Sequence, residues 1–417
     1  MADAFDIAIR RARLRDRDDG LADIGIKDGR ITTIASRLEG TAVTEIDAHA
    51  NLVTESFVNP HLHLCKVWTL PMMEEEALKT YQGEAMGKAL AGIELASKIK
   101  EEQYAESWIT ENAHRAVALA AVHGNLHIRA FADVDSKARL EAVRALIRVR
   151  DEFRGVVEIQ VVAFAQDGIV RERGAAELLH QAMELGADVV GGIPWIELTE
   201  ADVTEHIKTC FDYAQEFNRD VSMLLDDAGD PGLRTLEMMA VEAIRRKWEG
   251  RALAHHCRAT SLYPMPYVQR LARILKHAGV SIVTNPHTGP LHARVRELLA
   301  EDVLVCLGQD DISDAYYRFG RNNMLEVAFL ASHLLWMMTR REIEKLYDMI
   351  TRDAARAMNV SQYGLFEGSA ANLVILGQPD VVESLRFHAP PAWVISNGRV
   401  VDQAHMKAMA SSQRSAG

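Results

Sequence analysis

Two histidines separated by a single residue, His61 and His63, follow an apolar run near the start of the chain. Side chains at positions i and i+2 of a strand project from the same face, so both imidazoles can reach one metal ion. Asp310 ends another apolar run far downstream, and a carboxylate commonly completes such a site. The sequence therefore predicts a metal centre built from His61, His63 and Asp310.

Strands must position these side chains, and the middle of the chain alternates short apolar runs with amphipathic helical segments. The first run ends at His63, and seven more lie at residues 126–131, 157–164, 188–194, 221–225, 252–256, 281–286 and 303–307. Helical periodicity is clearest in residues 140–153, 174–185, 236–246 and 267–277. Eight such alternations predict an α/β fold, a (β/α)8 TIM barrel, in which chemistry gathers at the carboxyl ends of the strands.

Both ends of the chain have a different pattern, that of short strands and hairpins. Asp28-Gly29 and Asn397-Gly398 are tight-turn signals between alternating runs. We predict a small β-sandwich formed by residues 1–57 and 359–405, with the barrel at 58–358 and a disordered tail at 406–417.

The composition and charge of the chain indicate which kinds of partner it can bind. The 417 residues carry a formal charge of -12, which argues against nucleic acid held through phosphates, and 48% are hydrophobic, as in ordinary globular enzymes. No apolar stretch reaches the roughly 18 residues of a membrane span. The first residues are acidic where a signal peptide would be basic. We expect a cytoplasmic protein with reduced cysteines and a small-molecule partner.

Titratable and polar side chains are concentrated at the predicted strand ends. Besides the metal-site candidates, these are Lys66, Gln166, Trp195, Asp226, Asp227, His255, His256 and His287. So many polar groups at one rim would be costly if they were buried and unpaired, and a cation is the simplest way to hold them together. His255 is expected to face the helices, as part of the barrel wall.

The order of these features resembles the amidohydrolase superfamily, and within it the branch of cytosine deaminase and N-isopropylammelide isopropylaminohydrolase. The resemblance covers about residues 6–401, and its more specific stretches are residues 161–166, 187–194 and 309–312 followed by 323–325. It implies that His61 and His63 bind a metal and that Asp310 is both a ligand and the acceptor of a proton from water. It also implies that His256 polarises the group under attack, and that Gln166 hydrogen-bonds a ring.

The fifth barrel strand departs from the family pattern. Leu224 stands where the family has a third metal-binding histidine, whereas Asp227 keeps the position of the acidic proton shuttle. On a regular strand Asp226 shares a face with Leu224, so it is a candidate substitute ligand, the alternative being a solvated strand-end acid. Trp195, His287 and Lys66 are candidate substrate contacts, although Trp195 could instead pack under a loop and His287 could be an ordinary loop residue.

The leading hypothesis is a hydrolase that cleaves a C–N bond of a small nitrogen heterocycle with water activated by one divalent metal ion, zinc before iron, manganese or cobalt. One alternative is a hydrolase of an acyclic amide, urea or carbamate. Another is a metal-free barrel that binds a small molecule without turning it over, because Leu224 cannot ligate. We also expect a homo-oligomer, in line with relatives.

Overall fold

The computed structural model describes residues 4–17, 20–72, 76–98 and 104–411. Its strands are β1 (Phe5–Ala12), β2 (Ala22–Lys27), β3 (Arg30–Ala35), β4 (Ala42–Asp47), β5 (Val53–Glu55), β6 (Phe57–Leu62), β7 (Asn125–Asp133), β8 (Glu158–Phe164), β9 (Val189–Gly192), β10 (Asp220–Leu225), β11 (Ala252–His256), β12 (Ser281–Thr284), β13 (Val305–Leu307), β14 (Leu373–Ile375), β15 (Trp393–Ser396) and β16 (Arg399–Val400).

The helices are α1 (Glu76–Gln82), α2 (Ala89–Ser97), α3 (Glu106–Val122), α4 (Glu141–Glu152), α5 (Ala175–Glu184), α6 (Glu200–Glu216), α7 (Thr235–Arg246), α8 (Met265–Ala278), α9 (Val295–Ala300), α10 (Met324–Leu334), α11 (Arg340–Asp348), α12 (Arg352–Ala357), α13 (Val381–Phe387) and α14 (Gln403–Ser411). Among the described residues, no helix combines the length and the apolar character that crossing a membrane requires.

Strands β6 to β13 form one parallel sheet in chain order, as a (β/α)8 TIM barrel requires. The two edge strands meet where β6 ends, because the backbone N of His63 donates to the carbonyl of Asp310 and the N of Asp310 donates to the carbonyl of His61. The predicted barrel is confirmed. Its closure places the two ends of the predicted metal site side by side.

The chain ends form two further four-stranded sheets, of order β3-β2-β1-β4 and β16-β15-β14-β5. Apolar side chains from both sheets, among them Ile9, Ile24 and Leu373, pack into one buried cluster. The two predicted hairpins are present, and both of their turns use positive φ angles, at Asp28 and Gly29 and at Asn397 and Gly398. The predicted small sandwich made from both ends of the chain is therefore confirmed as part of the fold.

The carboxyl terminus differs from the sequence-based expectation. Residues 406–411 of the predicted disordered tail belong to α14, whose Met406 and Met409 pack against the barrel core and whose Ala410 carbonyl accepts a hydrogen bond from Arg115. Residues 412–417 lie outside the described part of the chain. The composition of the tail did not reveal this packing.

Helices α1 and α2 cover the carboxyl ends of the strands. The 3₁₀ turn between them, Glu84–Met86, reaches the loop after β10, where the N of Gly229 donates to the carbonyl of Met86 at 3.1 Å. A Cβ atom on Gly229 would lie only 2.0 Å from the carbonyl oxygen of Ala85, so glycine allows this close approach. The two helices lie over the barrel mouth, and Tyr81 and Ile93 from them line the cavity of the candidate site.

Candidate active site

Four buried side chains from three strand ends converge at the mouth of the barrel. One nitrogen each of His61, His63 and His256 and one carboxylate oxygen of Asp310 all lie within 4.8 Å of one another. The Asp310 Oδ1 atom is 2.9 Å from the Nε2 atom of His61, 3.7 Å from that of His256 and 3.9 Å from that of His63. The structure thus brings together the predicted pair, Asp310 and one further imidazole.

The backbone at these strand ends is unusual. His256 has a φ of 65° and Asp310 a φ of 72°, in a region that costs energy for residues with a Cβ. Strain of this kind persists where surrounding contacts hold the backbone in place, and it is concentrated at functional sites. Here it turns each side chain out of the strand's regular alternation and towards the shared centre.

The electrostatics of the cluster favour neutral imidazoles around an ionised carboxylate. Burial lowers the pKa of His63 and of His256 well below the ordinary value. Burial alone would raise the pKa of Asp310, but His256 and the hydrogen bond from His61 lower it well below its usual range. Thr288 also donates to Asp310 Oδ2 at 2.7 Å.

This donor set fits a divalent metal ion. Neutral imidazoles and carboxylates are the ligands that zinc, iron, manganese and cobalt accept. The Nε2 atoms of three imidazoles face one carboxylate oxygen in a buried place. His61, His63 and Asp310 have the geometry to hold such an ion.

The structure reveals a role for His255 that the sequence did not predict. Its Nδ1 atom lies 2.7 Å from Nδ1 of His61, and its ring is fully buried against Phe131. The sequence-based expectation that His255 faces the helices is therefore wrong. Strand alternation ends at His256, whose positive φ lets both neighbouring imidazoles face His61.

Asp226, the predicted substitute ligand, is not brought to the cluster. Its Oδ1 atom accepts hydrogen bonds from the backbone N and Oγ1 of Thr235, both at 2.7 Å, and its Oδ2 accepts one from Tyr263 at 2.8 Å. A φ of 48° at Asp226 breaks the alternation that would have placed it on the face of Leu224. Asp226 instead holds the start of α7.

Asp227, the candidate proton shuttle, is buried close to the cluster. Burial raises the pKa of this carboxyl to about 6. Its Oδ1 atom accepts from Nε of Arg258 at 2.7 Å, and its Oδ2 accepts from the hydroxyl of Tyr81, in α1, at 3.0 Å. Sequence reasoning missed both partners, and the only signal for Arg258 is its place two residues after His256.

Lys66 and Gln166, both candidate substrate contacts, form a pair. The Nζ atom of Lys66 donates to Oε1 of Gln166 at 2.5 Å and lies 3.3 Å from Asp133. Burial alone would lower the pKa of Lys66, but Asp133 and other acids raise it above its ordinary value. Because an ammonium group can only donate hydrogen bonds, the side-chain carbonyl oxygen of Gln166 must point towards Lys66. The NH₂ group of Gln166 then points away and can donate to another partner.

Trp195 and His287 are the two remaining candidate substrate contacts. Trp195 packs in an apolar cluster with Ile193 and Ile196, and the Nε2 atom of His287 lies 3.2 Å from the carbonyl oxygen of Gln309. Within the described part of the chain, neither lines the cavity at the cluster. Their predicted substrate contacts therefore stay predictions from the sequence.

A cavity of about 270 Å³ opens directly on the cluster. Its polar lining is His63, Gln166, Asp227, His256, Asp310 and Asp311, and its remaining lining is Tyr81, Ile93, Ile193, Leu224 and Tyr316. Burial and the neighbouring Asp310 raise the pKa of Asp311 well above its usual range. Apolar faces together with a few convergent polar groups are the pattern of a small-molecule site.

The fold and this cluster are those of an amidohydrolase, and the comparisons agree. The model of the amidohydrolase family matches residues 44–402, so the chain belongs to that family. Members of the family use a divalent metal, and this chain is a hydrolase that acts on carbon–nitrogen bonds.

Among characterised proteins, the chain is similar to N-isopropylammelide isopropyl amidohydrolase of Pseudomonas sp. strain ADP, with 29% identity over 413 residues, 96% of this chain and 98% of the relative. It is also similar to the crystal structure of 5-methylcytosine deaminase from Klebsiella pneumoniae bound to 5-fluorocytosine. That match has a TM-score of 0.86 and 30% identity, and it covers 94% of this chain and 97% of the other.

A third similar structure is N-isopropylammelide isopropylaminohydrolase from Burkholderia multivorans. It has a TM-score of 0.83 at 23% identity and covers 95% of this chain and 97% of the other. At this level of identity the likeness shows the shared fold. The resemblance inferred from the sequence motifs is confirmed.

Proposed function

We propose that this chain is a metal-dependent aminohydrolase that removes ammonia or an amine from a small nitrogen heterocycle. The observation that carries the proposal is the convergence of His61, His63 and Asp310 at a cavity lined by both polar and apolar side chains. Relatives support it, because the names of the similar proteins describe action on 5-methylcytosine and on N-isopropylammelide.

We propose His61, His63 and Asp310 as the metal ligands, and zinc as the metal. When bound, such an ion lowers the pKa of water from about 15.7 towards about 7, which supplies hydroxide at neutral pH. Asp226 is left out of this ligand set because Thr235 and Tyr263 already occupy both of its oxygens.

The chain's own residues supply the proton transfers in this proposal. Asp310 takes the proton of the attacking water, and its ionised state suits that role. Asp227, with a pKa of about 6, carries a proton to the leaving nitrogen near neutral pH. His256 faces the cavity and stabilises the charge that develops on the substrate; removing one such donor costs roughly 3 kcal/mol in other enzymes.

The lining of the cavity suits a flat heterocycle. Leu224, Ile93 and Ile193 offer apolar contact to a ring face, whereas Gln166 presents NH₂ donors to a ring carbonyl or nitrogen. Asp311 also lines the cavity, and burial together with Asp310 raises the pKa of its carboxyl well above the usual range. Ring faces and polar ring edges would both be matched.

The test is release of ammonia or amine from a panel of aminated pyrimidines and triazines, with the zinc-loaded protein and its Asp310→Asn variant. We expect turnover of at least one ring compound by the wild type and a loss of at least about 10³-fold in the variant. Equal release by both proteins would contradict the proposed site.

Two other functions are separated by the same assay. Preferred turnover of an acyclic amide, urea or carbamate would favour the alternative hydrolase predicted from the sequence. Leu224, in place of a ligand, favours the binding-only alternative, which predicts retention of a heterocycle without product. The predicted homo-oligomer and cytoplasmic location stay predictions from the sequence.

A further inference from the structure

A buried arginine, Arg258, lies beside the cluster. Arg258 begins the 3₁₀ turn after β11 and is only 2% exposed. Its Nη2 atom donates to Oγ1 of Thr288 at 2.8 Å and lies 3.2 Å from Nδ1 of His256. A Cβ atom on Gly289 would lie 2.4 Å from the Nη1 atom of Arg258, so the guanidinium is enclosed on that side as well.

Two donors face Nδ1 of His256 and fix where the imidazole carries its hydrogen: Arg258 at 3.2 Å and, more weakly, Nδ2 of Asn285 at 3.4 Å. A guanidinium has five N–H donors and no acceptor. Nδ1 of His256 must therefore accept the hydrogen bond from Arg258, which a ring protonated at Nδ1 cannot do. A neutral imidazole has one N–H, so in this geometry the hydrogen of His256 is on Nε2.

The Nε2 atom of His256 is the atom that faces the cluster, 3.7 Å from Oδ1 of Asp310. An Nε2–H group donates hydrogen bonds and has no lone pair for a metal. The contact with Arg258 thus selects between two roles for His256, a fourth metal ligand or a donor towards the cavity.

We propose that Arg258 is a positioning residue that holds His256 as an Nε2–H donor and keeps it out of the metal's coordination shell. This assigns Arg258 a role that the strand-end pattern of the sequence does not suggest. The importance of that donor rests on the proposed function, whereas the position of the hydrogen does not depend on any bound metal or substrate.

The competing interpretation is that Arg258 only neutralises two buried acids: Asp227, to which its Nε atom donates at 2.7 Å, and Asp310, whose Oδ2 atom lies 3.5 Å from Nη2. If Arg258 served only as a counter-ion, replacing it would not change the tautomer of His256. The two interpretations therefore differ in which variants change the ring of His256.

The experiment measures the tautomer of His256 by long-range proton–nitrogen NMR on metal-free protein labelled with ¹⁵N-histidine, with the signal assigned from His256→Gln. We expect a protonated Nε2 and an unprotonated Nδ1 in the wild type and in Asp227→Asn. In Arg258→Met we expect the share of the Nε2-H form to fall, with Nδ2 of Asn285 left as the weaker donor at 3.4 Å. A protonated Nδ1 in the wild type, or an unchanged tautomer in folded Arg258→Met, would overturn the proposal.

Arg129 provides the matched control, since it is a second buried arginine, held by Gln160 and Ser222 inside the barrel. Arg129→Met should leave the His256 signal in the wild-type tautomer. If Arg258→Met does not fold, Thr288→Val removes the hydroxyl that orients Nη2 and should increase the minor tautomer. A failure of the proposed function alone would leave all of these NMR results unchanged.

Discussion

Nδ1 of His61 and Nδ1 of His255 lie 2.7 Å apart, although the two residues are separated by 194 positions in the chain. One hydrogen is shared between these nitrogens. If Nε2 of His61 were to hold a metal ion, its hydrogen would be on Nδ1 and would be donated to His255. Such outer partners fix the tautomer and orientation of a ligand. The neighbouring histidines therefore differ in role: His255 orients His61, whereas His256 faces the cavity.

We predict that His255→Phe weakens metal binding by about 10- to 100-fold, as loss of an outer hydrogen-bond partner does in other metalloproteins. Phenylalanine keeps the ring against Phe131 but removes the nitrogen. The measurement is competition with a chelator of known affinity. His127→Phe, at a buried histidine outside the cluster, is the control and should keep wild-type affinity.

Leu224 lines the cavity at the position where the family has a third histidine. We predict that Leu224→His slows loss of metal to a chelator by about tenfold, a difference of about 1.4 kcal/mol. Leu224→Met conserves volume and should behave like the wild type. Equal rates of metal loss in Leu224→His and Leu224→Met would show that a side chain at this position does not reach the metal.

Lys66 is the buried cation that fixes both Asp133 and Gln166. We predict that Lys66→Met lowers the free energy of unfolding by about 3–5 kcal/mol, because a buried charge loses its partner. Urea unfolding measures this change. Lys79→Met, at a side chain that is 81% exposed, should stay within about 0.5 kcal/mol of the wild type.

His127 provides a prediction about pH. Burial lowers its pKa from 6.5 to about 4 in the folded protein. Between these values the unfolded chain binds a proton that the folded chain does not, so stability is complete above pH 6.5 and falls as the pH approaches 4. The loss from this residue is about 3 kcal/mol.

Urea unfolding at several pH values between 4.5 and 7.5 on wild type and His127→Gln tests this. The variant should lose less stability on acidification. The exposed His405→Gln variant should follow the wild type. A steeper acid loss in His127→Gln than in the wild type would contradict the assignment.

The sequence was most informative where the signals are local. Strand-helix alternation predicted the barrel, and parallel strands necessarily bring their carboxyl ends together, which is why His61, His63, His256 and Asp310 were found. Strand alternation failed at Asp226 and His255, because positive φ angles at Asp226 and His256 end the regular geometry there. A two-residue period cannot reveal such breaks.

Other features depend on contacts between distant segments. The cover formed by α1 and α2 reaches the site through Tyr81, and nothing in its own sequence names Asp227 as the partner. Arg258 was missed for a similar reason, since a charged residue after a strand normally faces solvent. Its burial follows from Asp227 and Thr288, which lie on two other strand ends.

The central claim is that His61, His63 and Asp310 hold one divalent ion and Asp226 does not. Elemental analysis of purified, exhaustively dialysed protein tests it most directly, with Asp310→Asn and Asp226→Asn beside the wild type. We predict about one equivalent of metal per chain in the wild type and in Asp226→Asn, and near-complete loss in Asp310→Asn. Loss of metal in Asp226→Asn with retention in Asp310→Asn, or a wild type that binds no metal, would contradict the account.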